Sequence, residues 1–262
     1  MKLCVERSGT GPPLVLWHGW GLNLRVFDEL RAELASEFEL IAVDLPGHGR
    51  SEWLADMDGE AQLGALLQNV PAGALLLGWS LGGQFALRAA LRSPAQVSGL
   101  ILIATTPRFT NGAGWTHGLD PSVLADFAQC LREDWTGTVR DFLELQVRGG
   151  ADSSVALSTL QAALRAHGLG DPAALAAGLE LLAGTDLRLK LPTLTTPTLV
   201  MCGERDRITP PTASRALAQA LSNARCLTFA RAAHTPFLTD PAAVAAAVRE
   251  FMPAVRSAQG AA

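Results

Sequence analysis

A serine between glycines is the first feature of the sequence that could carry chemistry. Residues 78–82 read G-W-S-L-G; they follow an apolar run at 74–77 and precede a helical pattern that begins at Leu81. This is the G-x-S-x-G pattern in the strand–turn–helix setting that a sharp nucleophile turn requires. The turn exposes the Ser80 hydroxyl at a helix N-terminus, where the helix dipole favours developing negative charge. We therefore predict that Ser80 is a catalytic nucleophile and not an incidental serine in a glycine turn.

A nucleophilic serine needs a base, and the base needs an acid that orients it. Of the five histidines, His234 follows the last predicted strand, so its loop lies at the carboxyl edge of the sheet, within reach of Ser80. Asp206 follows the preceding strand, and the order Ser80, Asp206, His234 along the chain is that found in α/β-hydrolases. Glu204 is the local rival for the acid, whereas Asp44 ends an earlier strand and is predicted to fix a loop.

The tetrahedral intermediate of acyl transfer also needs backbone N–H donors for its oxyanion. One predicted donor is the N–H of Leu81, directly after the nucleophile. The other is predicted at Trp20, in the stretch W-H-G-W-G at 17–21, because glycines on both sides let the backbone turn its N–H inward. The Trp20 ring is expected to line the pocket, and a purely packing role is the alternative.

The elements that must position these residues alternate between short apolar runs and longer helical patterns. Such alternation predicts a parallel sheet covered on both faces, and strands that are apolar throughout fit burial on both faces. The predicted fold class is therefore α/β, with a mostly parallel twisted sheet. Strands are predicted at Lys2–Glu6, Leu14–Trp17, Leu40–Asp44, Ala74–Leu77, Leu100–Ala104, Thr198–Cys202 and Arg225–Phe229, and helices at Arg25–Ser36, Glu60–Asn69, Leu81–Arg92, Thr212–Leu221 and Ala242–Phe251.

An insertion without convincing strands interrupts this alternation from about Pro107 to about Asp186. Ligands of open α/β sheets bind beyond the carboxyl ends of the strands, so helices inserted there should roof the site. We therefore predict a core at 1–106 and 186–262 and a helical lid at 107–185. Capping residues, often followed by proline, mark helix starts at Asp120-Pro121, Thr136, Asp152-Ser153 and Asp171-Pro172.

Composition excludes several other classes of protein. The chain has 262 residues, of which 48% are apolar, and a net charge of −4, so it suits one large domain and not a nucleic-acid binder. The uncharged stretch 61–87 contains Pro71 and several polar residues, which argues against a membrane span, and the N-terminus lacks an apolar export signal. The four cysteines show no metal-ligand spacing. We predict a cytoplasmic monomer with reduced thiols, no metal and no cofactor.

These motifs together resemble the α/β-hydrolase superfamily, and more closely the pimeloyl-[acyl-carrier protein] methyl ester esterases of biotin synthesis. The resemblance implies hydrolysis of the methyl ester on a pimeloyl chain carried by acyl-carrier protein, giving the carboxylate and methanol. It also implies that the acyl chain lies between core and lid. The stretches that carry the likeness are 18–23, 43–51, 78–83, 178–182, 185–188, 232–234 and 236–237. The implied substrate-binding residues are Trp20, Ser80, Leu81, His234 and the F-x-x-x-Q pair Phe142 and Gln146.

The lid departs from this resemblance where the carrier protein would be held. Well-studied members use arginines of the lid to hold the acidic carrier protein and its phosphopantetheine. Those arginines are absent here, which counts against binding of a carrier protein. The matching positions hold Gly137, Asp141, Ser154 and Ser158. Arginines nearby in the sequence form either a displaced basic patch or a scattered set of solvated charges. They are Arg132, Arg140, Arg148 and Arg165.

Other functions remain open on the same residues. A general short-chain carboxylesterase, a carbon–carbon bond hydrolase or a lactonase would use the same triad. Dehalogenases and epoxide hydrolases are disfavoured because they place Asp where Ser80 stands. A non-catalytic ligand receptor on this scaffold would tolerate loss of a triad member, whereas all three members are present here.

Overall fold

Within residues 1–55 and 57–260, which the computed structural model describes, seven strands form one sheet. The strands are β1 (Val5–Ser8), β2 (Pro13–Trp17), β3 (Glu39–Val43), β4 (Ala74–Trp79), β5 (Val97–Ile103), β6 (Thr198–Gly203) and β7 (Ala224–Phe229). Their order across the sheet is β1-β3-β2-β4-β5-β6-β7; β1 is antiparallel to β3 and every other pair is parallel. The predicted α/β class with a mostly parallel sheet is confirmed.

Helices cover both faces of the sheet. They are α1 (Asp28–Leu34), α2 (Gly59–Leu67), α3 (Leu81–Arg92), α4 (Pro121–Glu133), α5 (Trp135–Val147), α6 (Ser153–His167), α7 (Pro172–Gly184), α8 (Pro211–Ala220), α9 (Pro236–Thr239) and α10 (Pro241–Gly260). Along β2, Val15 and Trp17 join a core cluster with α2, α3 and α8, whereas Leu14 and Leu16 join one with α1, α9 and α10. Successive strand residues point to opposite faces, so burial on both faces explains the unbroken apolar runs.

Some element boundaries differ from those that the sequence predicts. The first predicted helix divides into a 3₁₀ turn at Leu24–Phe27 and the short helix α1. The cause lies before the turn, where the Asn23 side chain accepts the Arg25 N–H and so caps a separate turn. Helix α9 was not predicted, because four residues show no helical period.

Four helices, α4 to α7, lie between β5 and β6 in the chain, in the segment predicted as a lid. Asp120, Asp134 and Asp171 each cap one of them by accepting a backbone N–H of its first turn. Helix α5 begins at Trp135, one residue before the predicted start at Thr136. The helices pack against one another and against the core cluster that contains β2. The division into core and lid stays a prediction.

The uncharged stretch 61–87 contains most of α2, all of β4 and the first half of α3. Among the described residues, no helix combines the length and the apolar character that a membrane crossing needs. The apolar composition of this stretch therefore belongs to a buried strand and the helices packed on it.

Candidate active site

Ser80 occupies a strained turn between β4 and α3. Its φ is 54° and its ψ is −117°, a backbone conformation that residues with side chains rarely adopt. A Cβ atom at Gly82 would collide with the carbonyl oxygen of Trp17, and one at Gly78 would collide with the backbone of Gly82. The Thr105 hydroxyl donates to the Ser80 carbonyl oxygen at 2.7 Å. The glycines of the motif are therefore required by close backbone packing, which fixes the turn.

His234 and Asp206 form a buried pair at the carboxyl edge of the sheet. His234 Nδ1 lies 2.8 Å from Asp206 Oδ2, and both side chains are excluded from solvent. Asp206 Oδ1 accepts the backbone N–H groups of Ile208 and Thr209, and the Thr209 hydroxyl donates to Oδ2. An ionised carboxylate only accepts hydrogen bonds, so this contact assigns the imidazole proton to Nδ1 and leaves a lone pair on Nε2.

Backbone contacts hold His234 beside the serine turn. Its carbonyl oxygen accepts from Trp79 Nε1 at 2.9 Å, and its N–H donates to the Gln146 carbonyl oxygen at 3.0 Å. The Nε2 atom is buried and has no hydrogen-bond partner among the described residues. Trp79 directly precedes Ser80 in the chain, so this contact holds the Asp206–His234 pair next to the serine turn, although no hydrogen bond joins Ser80 to His234 Nε2 among the described residues. Glu204, the rival acid, is exposed and pairs with Arg215.

The two predicted oxyanion donors border this turn. Leu81 is the first residue of α3, and Trp20 follows the Gly19 position, where a Cβ would lie 3.3 Å from Ser80 Cβ. Among the described residues, no turn, loop or capping bond to another backbone group uses the N–H of Trp20 or of Leu81. An inserted helix holds the Trp20 ring in place, because the ring Nε1 donates to the Leu175 carbonyl oxygen of α7 at 2.8 Å.

An apolar cavity of about 250 Å³ opens above Ser80, between the sheet edge and the inserted helices. Phe127 and Phe142 meet the Trp20 ring edge-on, with centroids 5.4 and 5.3 Å away. The lining residues are Trp20, Ser80, Phe109, Leu119, Val123, Leu124, Phe127, Phe142, Leu145, Leu179, Leu182, Arg207 and Ile208. The cavity therefore suits an aliphatic chain, with one reactive hydroxyl in its wall.

The two residues of the F-x-x-x-Q pair lie in different places. Phe142 lines the cavity, whereas the Gln146 side chain is buried outside the lining and its amide atoms have no partner among the described residues. Leu145, one helical turn from Phe142, lines the cavity and could have been found from that spacing. Arg207 was also missed, because adjacency to Asp206 gives no sign that a side chain faces a cavity.

A second buried histidine–carboxylate contact joins the inserted helices to the core. Asp44 accepts the backbone N–H groups of Leu24 and Arg50, and its Oδ2 lies 3.0 Å from His167 Nδ1 at the end of α6. The predicted loop-fixing role of Asp44 matches these contacts. Cys4 adds a third donor atom within 4.8 Å, a set of ligand types that metal ions use. Asp44 and His167 are already engaged by hydrogen bonds to each other and to the backbone. We therefore assign Cys4, Asp44 and His167 a structural role.

The comparisons with known proteins agree with this geometry. A model described as the alpha/beta hydrolase family matches residues 14–247. The chain belongs to the alpha/beta hydrolase family. A pimeloyl-[acyl-carrier protein] methyl ester esterase of Stenotrophomonas maltophilia strain K279a is 44% identical over 257 residues, 98% of each chain. One of Nitrosospira multiformis is 38% identical over 248 residues, 92% of this chain and 94% of its own.

The solved structures extend the same finding to the fold of this hydrolase. An esterase from Exiguobacterium antarcticum superposes with a TM-score of 0.87 over 95% of this chain and 94% of its own, at 24% identity. That identity supports the fold alone. The resemblance that the motifs predicted is confirmed by the curated relatives, and the enzyme class of this hydrolase is a carboxylic ester hydrolase.

Proposed function

We propose that this hydrolase cleaves the methyl ester of a pimeloyl chain carried by acyl-carrier protein, through an acyl-enzyme on Ser80. The observation that carries the proposal is the buried Asp206–His234 pair, whose His234 backbone accepts a hydrogen bond from Trp79, the residue before Ser80. The His234 Nε2 atom has no partner among the described residues, and Ser80 lines an apolar cavity. Relatives that match nearly the full chain carry the name of this esterase. The role of the reaction in biotin synthesis and a cytoplasmic location are part of the same proposal.

The proposed reaction has two steps, acylation of Ser80 and hydrolysis of the acyl-enzyme. Ser80 Oγ attacks the ester carbonyl carbon while its proton passes to His234 Nε2, and Asp206 stabilises the imidazolium. The N–H groups of Trp20 and Leu81 stabilise the oxyanion of the tetrahedral intermediate. Collapse breaks the bond to methoxide, which leaves as methanol with the proton from His234. Water then attacks the acyl-enzyme by the same route, which releases the carboxylate and restores Ser80.

The size and the apolar wall of the cavity favour a slender acyl chain over a bulky substrate. The cavity volume of about 250 Å³ is below the roughly 300–1,000 Å³ of sites for drug-sized ligands, and aliphatic and aromatic side chains form most of its wall. In this proposal Trp20 and Phe142 contact the chain directly, whereas Gln146 acts by holding the His234 backbone.

Ser80→Ala tests the nucleophile. We expect hydrolysis of pimeloyl-carrier methyl ester and of a p-nitrophenyl ester to fall by at least about 10³-fold, because only the oxyanion donors and binding remain. Thermal unfolding should keep its midpoint, and a fluorophosphonate probe should label the wild type but not the variant. Ser36→Ala, at an exposed serine two residues after α1, is the matched control and should leave activity unchanged.

The choice of substrate decides between this proposal and its alternatives. The wild type is compared on pimeloyl-carrier methyl ester, a short free ester and a ring-cleavage dienone. A higher kcat/KM for the carrier-borne ester supports the proposal. Preference for the dienone would replace it with a carbon–carbon bond hydrolase, and retained turnover in Ser80→Ala would refute the triad.

A further inference from the structure

One charged side chain, that of Arg207, lines the apolar cavity above Ser80 among the described residues. Arg207 is exposed, and no hydrogen bond or ion pair engages its guanidinium within that part of the chain. The neighbouring arginines are engaged: Arg205 Nη1 donates to the Gly149 carbonyl oxygen at 2.9 Å, and Arg215 pairs with Glu204. A cation without a partner, at the edge of a cavity with aliphatic walls, is a feature that the triad chemistry does not use.

The proposed triad acid fixes the backbone that carries this cation. Asp206 Oδ1 accepts the N–H groups of Ile208 at 2.8 Å and Thr209 at 3.0 Å, which closes a tight turn with Arg207 inside it. Ile208, the next residue, is buried and also lines the cavity. The same carboxylate that orients His234 therefore sets the position of Arg207 relative to the reacting atoms.

We propose that Arg207 binds an anionic group, a carboxylate or a phosphate, at the end of the substrate chain remote from the methyl ester. The inference rests on the proposed function, since it takes the ester to react at Ser80. A guanidinium binds either anion through two parallel N–H bonds, and the adjoining apolar wall limits competition from water. An apolar channel with a cation at its edge selects a chain that is apolar along its length and charged at its far end.

Two matched pairs of methyl esters test the inference. Monomethyl pimelate is compared with methyl heptanoate, which has the same chain length and no carboxylate. The methyl-ester pimeloyl thioester of 4′-phosphopantetheine is compared with that of pantetheine, which lacks the phosphate. The quantity measured is the ratio of kcat/KM within each pair, in wild type and in Arg207→Gln, Arg207→Lys and Arg205→Gln. Arg205→Gln is the matched control, because it removes the same charge two residues away from outside the cavity lining.

We expect Arg207→Gln to lower the anionic-to-neutral ratio roughly three- to tenfold in the pair whose anion it binds, mainly through KM. Arg207→Lys should recover part of the ratio, added salt should lower it in the wild type, and Arg205→Gln should keep it. Loss in the carboxylate pair alone shows that Arg207 binds a terminal carboxylate, and loss in the phosphate pair alone shows that it binds the phosphate of the prosthetic arm.

Unchanged ratios in both pairs for Arg207→Gln would overturn the inference. Equal losses in Arg205→Gln would also overturn it, because they would reflect net charge and not a contact. The neutral esters separate this result from failure of the proposed function. If the wild type cleaves methyl heptanoate but the ratios do not respond, only the role of Arg207 fails; if it cleaves no methyl ester, the proposed function fails.

Discussion

His18 connects the loop that presents Trp20 to the loop after the neighbouring strand. Its Nε2 accepts the Leu45 N–H at 2.9 Å, so its proton lies on Nδ1, which donates to the Gly19 carbonyl oxygen at 2.8 Å. Burial, with the nearby His48, lowers the pKa of His18 to about 3. Neutral His18 is therefore part of the native hydrogen bonding, and protonation would set a donor against the Leu45 N–H.

This histidine should make the protein less stable in mild acid. The ordinary pKa is 6.5, so between pH 6.5 and about 3 the unfolded chain binds a proton that folded His18 does not. Stability conferred by neutral His18 is present above pH 6.5 and falls by about 1.4 kcal/mol per pH unit below it. In His18→Gln, where the amide oxygen can accept from Leu45, we expect urea unfolding between pH 7.5 and 5 to show a shallower pH dependence by that amount.

His48 and the carboxyl groups keep a background slope in both proteins, since burial also lowers the pKa of His48. The decisive quantity is thus the difference between wild type and His18→Gln at each pH. Parallel curves for the two proteins would contradict the assignment. The expected pattern is a variant that is less stable than the wild type at pH 7.5, with a difference in the free energy of unfolding that shrinks as the pH falls towards 5.

At the scale of single residues, residue type and spacing predicted which residues belong to the site but not all of the contacts that they make. The positions of Asp206 and His234 after strands predicted a pair that the structure brings into contact, and the spacing around Ser80 predicted the turn between β4 and α3. Gln146 could not be placed, because helical spacing assigns it to the face of Phe142 but cannot show that its amide is buried outside the cavity. Arg207 could not be found either, since its orientation depends on the Asp206 turn.

At the scale of elements, strand patterns predicted the sheet well because every inner strand is buried on both faces. The first helix was predicted as continuous because apolar period alone does not show that Asn23 caps a separate 3₁₀ turn. The contact between α6 and the core was also beyond prediction. It depends on His167 meeting Asp44 across 123 residues of sequence, and no local pattern encodes such a pair.

His167 anchors the end of α6 to the core. Its Nδ1 lies 3.0 Å from Asp44 Oδ2, its Nε2 lies 3.5 Å from Glu6, and Asn23 Nδ2 donates to the Ala163 carbonyl oxygen of the same helix. In His167→Ala, Asp44 loses one partner of a fully buried carboxylate. We expect the free energy of unfolding to fall by about 1–3 kcal/mol, with faster amide exchange in the last turn of α6.

His117→Ala is the control for this change, since His117 lies in the inserted segment but contacts only the Trp115 ring among the described aromatic residues. Removing the His117 side chain should change the free energy of unfolding by only a few tenths of a kcal/mol. Equal stability of His167→Ala and wild type would show that water replaces the anchor without cost. If amide hydrogen exchange became faster to the same extent in all of α4 to α7, the substitution would have destabilised the inserted helices in general and not only the contact between α6 and Asp44.

At the scale of the whole molecule, the cavity above Ser80 is lined by residues from the sheet edge and from the inserted helices together. Core residues such as Ser80 and Ile208 form one side, and inserted helices supply Phe127 and Phe142 on the other. The usable length of the cavity is therefore a property of how the halves meet. Sequence motifs identify the chemistry, but the distance between facing side chains appears only once both halves are folded together.

Leu124 and Leu179 separate this cavity from a second space of about 360 Å³ between α4 and α7. Both side chains line both spaces, whereas Leu131 lines only the outer one. Leu124→Ala should open a passage between them, so that longer acyl chains extend past the present limit. We expect the kcat/KM ratio of a long to a short p-nitrophenyl ester to rise several-fold. Leu131→Ala removes the same atoms and should cost a similar 2–5 kcal/mol of stability without changing that ratio.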